Sequence, residues 1–203
     1  MIRVLLAEDQ AMIREALAAL LSFEDDIEVV AQVGRGDEVV RAARDAKPDV
    51  ALLDIEMPGA DGLTAAAALS ADCPGIKIII LTTFGRPGYL RRAMESGASG
   101  FIVKDSPAGK LARTIRDVLA GQRVIDPDLA AAALAAGASP LTPRERDVLA
   151  AAAREEGATL AKLASALFLS EGTVRNYLSS CIQKTGARNR AEALWIASER
   201  GWL

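Results

Sequence analysis

The amino-acid sequence predicts an α/β domain built on a five-stranded, parallel, doubly wound sheet, followed by a small all-α domain. Three observations predict it. Five short apolar runs, at 2–7, 27–31, 50–53, 76–81 and 101–103, alternate with segments whose apolar residues recur at helical spacing. The run Val50-Ala51-Leu52-Leu53 has no polar position, as expected of a strand covered by helices on both faces. From Leu141 onward the strand-like runs stop and only helical periodicity remains. A chain of 203 residues suits two such domains.

Each element has its own local reason. Residues 2–7 form an apolar strand that ends in Glu8-Asp9, two acids that are costly after a buried strand unless solvated or bound to a cation. Met12, Ile13, Leu17, Leu20 and Leu21 then fall on one helical face. The strand at 27–31 is followed by a helix from 38 to 46, which must end before Pro48. The strand at 50–53 ends at Asp54, and Met57-Pro58-Gly59 supplies a turn. An alanine-rich helix covers 63–71, and the strand at 76–81 ends in Thr82-Thr83. The helix at 88–97 closes on glycine, and the strand at 101–103 ends in Lys104. Pro107 opens a last helix with Leu111, Ile115, Val118 and Leu119 on one face, stopped by Gly121.

Composition excludes several classes. No apolar stretch approaches the roughly 20 residues of a membrane span. The start Met1-Ile2-Arg3-Val4 runs straight into a strand and is no signal peptide. Two distant cysteines, Cys73 and Cys181, and no histidine exclude a zinc site and suit reduced thiols filling space in a cytoplasmic protein. Charge is asymmetric: residues 1–139 hold 15 basic against 20 acidic side chains, residues 140–203 hold 9 against 7. Such a split suits a metal or phosphate site in front and a nucleic-acid partner behind, although a charge run is also an ordinary solvated face.

Parallel strands place their carboxyl ends at one sheet edge, where ligands bind in open α/β folds. Glu8, Asp9, Asp54, Thr82 and Lys104 all follow directly on a buried strand, so they converge on one cleft. One such residue is ordinary turn chemistry; three acids, a hydroxyl and a lysine together make a site. The carboxylates suit a hard cation such as Mg²⁺, and the lysine an anion. Asp54 is then the nucleophile for a phosphoryl group whose oxygens metal and lysine neutralise.

This constellation resembles the receiver domain of two-component response regulators over residues 1–121, a flavodoxin-like fold. The resemblance implies that Asp54 is phosphorylated by a sensor histidine kinase. It implies that Glu8, Asp9, Asp54 and the Glu56 main-chain carbonyl hold Mg²⁺, and that Thr82 and Phe101 form a switch pair beside Lys104. Taken alone, Phe101 is an ordinary core phenylalanine. Asp105 stands where many receivers carry proline.

Residues 122–140 read as a linker, with an alanine-rich helix over 129–137 between Pro127 and Pro140. Residues 141–203 form the second domain. Thr142-Pro143-Arg144-Glu145 is a capping box opening a helix. Thr159, Ser170 and Asn189 cap three more, with Phe168-Leu169 as the turn before the third. Helix, tight turn and a helix bearing Arg175, Asn176 and Ser179 suggest a helix-turn-helix, while a small helical dimerisation module fits the periodicity equally well. Arg175, Lys184, Arg188 and Arg190, with no acid among residues 172–191, favour DNA.

Leu141-Thr-Pro-Arg-Glu-Arg and Leu169-Ser-Glu-Gly-Thr-Val-Arg-Asn-Tyr are similar to the LuxR/NarL-type DNA-binding domain. A receiver joined to it resembles the NarL/FixJ family of response regulators. Leu81-Thr-Thr-Phe-Gly-Arg-Pro-Gly-Tyr-Leu and the closing Arg200-Gly-Trp-Leu narrow the resemblance within that family. It implies a transcription factor that dimerises on phosphorylation and binds double-stranded promoter DNA, with RNA polymerase as a further partner. Thr173 and Lys184 would contact phosphates, and Arg175, Asn176 and Ser179 would face the major groove. Two rivals stand beside it. A phosphorylation-independent DNA-binding regulator would not need the intact acidic site. An aspartate-nucleophile phosphatase would use Glu56, two residues after Asp54, but would also need a substrate cap for which the insertions are too short.

Overall fold

The computed structural model describes residues 1–83, 87–104, 106–127, 129–131, 139–154 and 157–203. The chain folds as two compact units, one over most of residues 1–130 and the other over 131–203. Asp105 and, within the expected linker helix, residues 132–137 lie outside the described residues.

In the first unit β1 (Ile2–Ala7), α1 (Ala11–Ser22), β2 (Ile27–Val33), α2 (Val39–Ala46), β3 (Val50–Asp54), α3 (Gly62–Asp72), β4 (Lys77–Thr82), α4 (Pro87–Glu95), β5 (Gly100–Val103) and α5 (Ala108–Leu119) alternate. The strands are all parallel, in the order β2-β1-β3-β4-β5, with β6 (Val124–Ile125) added beyond β5. The doubly wound sheet is as predicted, but it has six strands rather than five. β6 pairs Val124 with Gly100 and Ile125 with Phe101, within the stretch read as linker. Two residues are too few to show an alternating pattern, so sequence periodicity could not reveal it.

The core follows from the sequence pattern. Val50, Ala51, Leu52 and Leu53 on β3 are fully buried because helices cover both faces of the sheet. On one face Val4, Leu6, Val50, Leu52, Ile79, Leu81 and Ile102 alternate inward against Leu21 of α1 and Leu111, Ile115 and Val118 of α5. In the 2-1-3-4-5 order the connections reverse between β1 and β3, and that switch point opens a crevice at the carboxyl ends of the strands.

Two close approaches shape the crevice. A Cβ on Gly62 would lie 1.8 Å from the main-chain oxygen of Asp54, so only glycine lets α3 start against the end of β3. Gly59, at φ +82°, completes the Met57-Pro58-Gly59 turn, whose Pro58 carbonyl accepts from the Gly36 N–H at 3.1 Å. Asp61 caps α3, accepting from the Thr64 N–H at 2.7 Å.

The second unit contains α6 (Pro143–Arg154), α7 (Leu160–Leu167), α8 (Glu171–Thr185) and α9 (Arg190–Glu199). Every cap expected from sequence forms. Thr142 and Glu145 exchange side chain-to-main chain bonds of 2.6 and 3.3 Å, and Thr159, Ser170 and Asn189 each accept the N–H three residues on. Val148, Leu149, Leu163, Val174, Leu178, Cys181, Ala197 and Trp202 make the core. Cys73 is half-buried and Cys181 buried, both as free thiols, and burial pushes the Cys181 thiol up to about 11.

The turn between α7 and α8 is tight: Leu169 N–H returns to Ala164 O at 2.9 Å, and Phe168 adopts φ +55°. Lys47, at φ +46°, is the other non-glycine residue with positive φ among the described residues. That conformation costs an ordinary side chain about 1–2 kcal/mol.

Glu145 has a second role besides its cap. Its side chain is buried and accepts from Thr142 N–H (2.6 Å), Ser180 Oγ (2.6 Å) and Lys184 Nζ (2.7 Å), tying the start of α6 to α8. Burial alone would raise its pKa, but these donors outweigh burial and hold the carboxyl at about 2, below its ordinary 4.5. Among the described residues no helix is long and apolar enough to cross a membrane.

Two outcomes follow. Gly62→Ala forces α3 away from β3 and should cost the first unit about 2 kcal/mol or more in urea unfolding. Because the folded pKa of Glu145 is depressed, its stabilisation is present above pH 4.5 and is lost as pH falls toward about 2. The thermal midpoint of the second unit should therefore fall through that window, and Glu145→Gln should flatten the fall while costing about 2 kcal/mol at neutral pH.

Candidate functional site

Each strand delivers one or two polar groups to the crevice. Glu8 and Asp9 follow β1, Asp54 ends β3, Thr82 ends β4 and Lys104 follows β5. Glu8, Asp54 and Thr82 are buried, at 0%, 3% and 3% exposure, while Asp9 is open to solvent. Lys104 Nζ lies 2.6 Å from Glu8 Oε2 and 3.0 Å from Asp54 Oδ1, bridging the two buried carboxylates. Glu8 Oε1 accepts from Gln10 N–H at 3.3 Å, and Arg14 donates to the Glu8 main-chain carbonyl at 2.6 Å, fixing the turn into α1.

The electrostatics are those of a strained charge cluster. Burial pushes the Glu8 and Asp54 carboxyls above their ordinary range, and Lys104 offsets only part of that. Burial would lower the Lys104 pKa, but its two carboxylate partners outweigh it and hold the ammonium above its usual value. Glu8 Oε2 and Lys104 Nζ are both buried, so their 2.6 Å ion pair is shielded from solvent. Oxygens from Glu8, Asp9 and Asp54 lie within 4.8 Å of one another. That set of three hard carboxylate ligands, two of them buried, fits a divalent cation such as Mg²⁺.

The structure thus brings Glu8, Asp9, Asp54 and Lys104 together as expected. Glu56 sits exposed two residues past the end of β3. Thr82 pairs in register with Val103, one residue before Lys104, and Phe101 is buried on β5 at 1% exposure. Sequence reasoning missed Arg14, Asp61 and Gly62. The Asp-to-Thr64 spacing at the start of α3 is a readable cap signal; nothing in the sequence marks a glycine held against a strand end.

In the second unit Arg175, Asn176 and Ser179 are exposed on α8 while Val174, Leu178 and Cys181 face the core. Thr173 lies in the first turn, its N–H and hydroxyl both held by Ser170 Oγ at 3.1 and 2.8 Å. The expectation that the basic side chains have no neighbouring acid is corrected for Lys184 and Arg188. Lys184 is paired with Glu145 (2.7 Å) and Arg188 with Glu192 (3.0 Å), acids outside the local stretch but close in space. Arg190 donates to the carbonyls of Ala158 (2.7 Å) and Ala152 (3.4 Å). Among the described residues neither Arg175 nor Arg190 makes an ion pair, and Arg175 stands exposed on α8.

Removing the bridging ammonium should leave two buried carboxylates facing each other. Lys104→Ala should cost the metal-free protein about 3 kcal/mol at neutral pH. The loss should shrink on acidification, because carboxyls with raised pKa values protonate early; thermal melts across mildly acidic to neutral pH check this.

Residues 4–116 match the response regulator receiver domain, and residues 139–197 match the luxR family of bacterial regulatory proteins. The chain is 45% identical to the transcriptional regulatory protein DesR of Bacillus subtilis (strain 168), over all of both chains. It is also 45% identical, again over all of both chains, to the uncharacterized transcriptional regulatory protein YvfU of the same strain. Among solved structures, response regulator ChrA of a heme-sensing two-component system is 33% identical, with a TM-score of 0.59 over 100% of this chain and 98% of that one. A receiver sheet with its acidic crevice, a luxR-type helix-turn-helix behind it and full-length relatives at this identity establish that the chain belongs to the LuxR/NarL family of response regulators.

Proposed function

We propose that the protein is a transcription factor switched on by phosphorylation of Asp54 and acting in the cytoplasm. The observation that carries this reading is Asp54 itself: a buried carboxylate at the end of the central strand, 3.0 Å from Lys104 Nζ and within reach of two more carboxylates. An Asp54 oxygen attacks the phosphorus of a phosphohistidine on a sensor histidine kinase. The P–N bond breaks, the imidazole leaves with the electron pair and takes up a proton, and an acyl phosphate remains on Asp54. Lys104 exchanges a carboxylate partner for a phosphoryl oxygen, and the Thr82 hydroxyl donates to another. Glu8, Asp9, Asp54 and the Glu56 carbonyl would hold Mg²⁺, which when bound neutralises charge on the transferring group.

In this reading Thr82 and Phe101 carry the change outward: the hydroxyl turns to the phosphoryl group and the ring fills the space behind it. The burial of Phe101 fits that inward position. The protein then forms a homodimer, and two α8 helices enter the major groove of two half-sites on promoter DNA, where RNA polymerase is recruited or excluded. Arg175, Asn176 and Ser179 read base edges; Thr173 contacts a phosphate, and so does Lys184 from an ammonium already steadied by Glu145. A regulator fits better than a phosphatase, since the connections after β1 and β3 are too short to carry a substrate cap.

Light scattering on the full chain tests the reading. Mg²⁺ with beryllofluoride, a phosphoryl mimic, should shift the wild type from monomer to dimer and leave Asp54→Asn unchanged. No shift in the wild type would remove phosphorylation-driven dimerisation as the output.

A further inference from the structure

Phe168 places a large apolar side chain at a turn whose backbone favours glycine. Its side chain is 95% exposed, and its backbone sits in the left-handed region at φ +55°, ψ +41°. Scattered apolar side chains on a surface are common and by themselves mean nothing. The choice of residue at this turn sets Phe168 apart. Gly97, Gly121, Gly157, Gly186 and Gly201 adopt φ values between 62° and 87° elsewhere in the chain, and Gly186 does so at the end of α8. At the end of α7 the same conformation is given to a phenylalanine. The turn's own hydrogen bonds, from Phe168 N–H and Leu169 N–H to Ala164 O, hold that backbone, as a left-handed cap also ends α2 at Lys47. The exposed ring adds nothing to them and is left free for a partner.

The place of Phe168 says which partner. It stands two residues before Ser170, the N-cap of α8, and the first turns of α8 carry Thr173, Arg175 and Asn176. In a helix-turn-helix the start of the recognition helix enters the major groove, so the turn that precedes it travels to the groove edge. The apolar surface available there is the C5-methyl of thymine and the carbons of deoxyribose, which a phenyl ring can cover. We propose that Phe168 is a DNA-contact residue, packing its ring on thymine methyl or sugar carbon at the edge of the groove entered by α8. The inference rests on α8 being the recognition helix.

The test uses the full-length protein bound to Mg²⁺ and beryllofluoride, with DNA that the wild type selects from a random duplex pool. Phe168→Gly and Phe168→Asn both tolerate the left-handed backbone, so both should stay folded, and the glycine variant should unfold about 4 °C higher. Both should bind the selected duplex about tenfold more weakly than wild type. The salt dependence should be unchanged, because an apolar contact releases no counterions. Replacing thymine by uracil in the selected duplex separates the two surfaces. An affinity loss for wild type but not for the variants places the ring on a methyl group; equal affinity places it on sugar.

Two folded variants that bind within twofold of wild type would overturn the proposal. If they also lost reporter transcription, the ring would belong to a protein contact instead. A wild type that selects no duplex would overturn the DNA reading of α8 and this proposal with it. That outcome is distinct from failure of the variants alone.

Discussion

The first unit depends on one ammonium group. Glu8 and Asp54 are brought to the switch point by β1 and β3 and buried there, and neither could remain charged in that position alone. Lys104, delivered by β5, stands between them at 2.6 and 3.0 Å and supplies the compensating charge. The sheet order matters because it places these ends side by side; a different winding would separate donor and acceptors. The compensation is incomplete, since burial still holds both carboxyls above their ordinary range, and that incompleteness suits the cation and phosphoryl group proposed for the site.

Glycine supports this arrangement from behind. Gly62 lets α3 begin in contact with the end of β3, and the Pro58–Gly36 bond holds the intervening loop against the β2–α2 connection. The backbone carrying Asp54 is thus held in place by close packing and by the turn that follows it. In the proposed reaction a carboxylate held this way needs little reorganisation to meet an incoming group.

Most of the fold was legible because burial on both faces leaves continuous apolar runs, and because Thr142, Thr159, Ser170 and Asn189 advertise the helix starts they cap. The convergence of Glu8, Asp9, Asp54 and Lys104 was legible for a topological reason: parallel strands share an edge. What sequence could not show depends on distance in space. Val124-Ile125 becomes a strand only because β5 lies beside it. Lys184 looked unpaired because Glu145 lies 39 residues away in the chain. The Arg188–Glu192 pair, four residues apart, was readable and was missed because the stretch considered stops at residue 191. Gly62 carries no mark of its neighbour at all.

The Glu145 carboxylate has a mechanical side. One of its oxygens holds the first turn of α6, at the point where the chain enters the second unit, and the group as a whole holds Ser180 and Lys184 on α8. Entry point and recognition helix are therefore riveted to a single group. The start of α6 cannot shift away from α8 without breaking these charge-assisted bonds, so the two helices keep one fixed geometry.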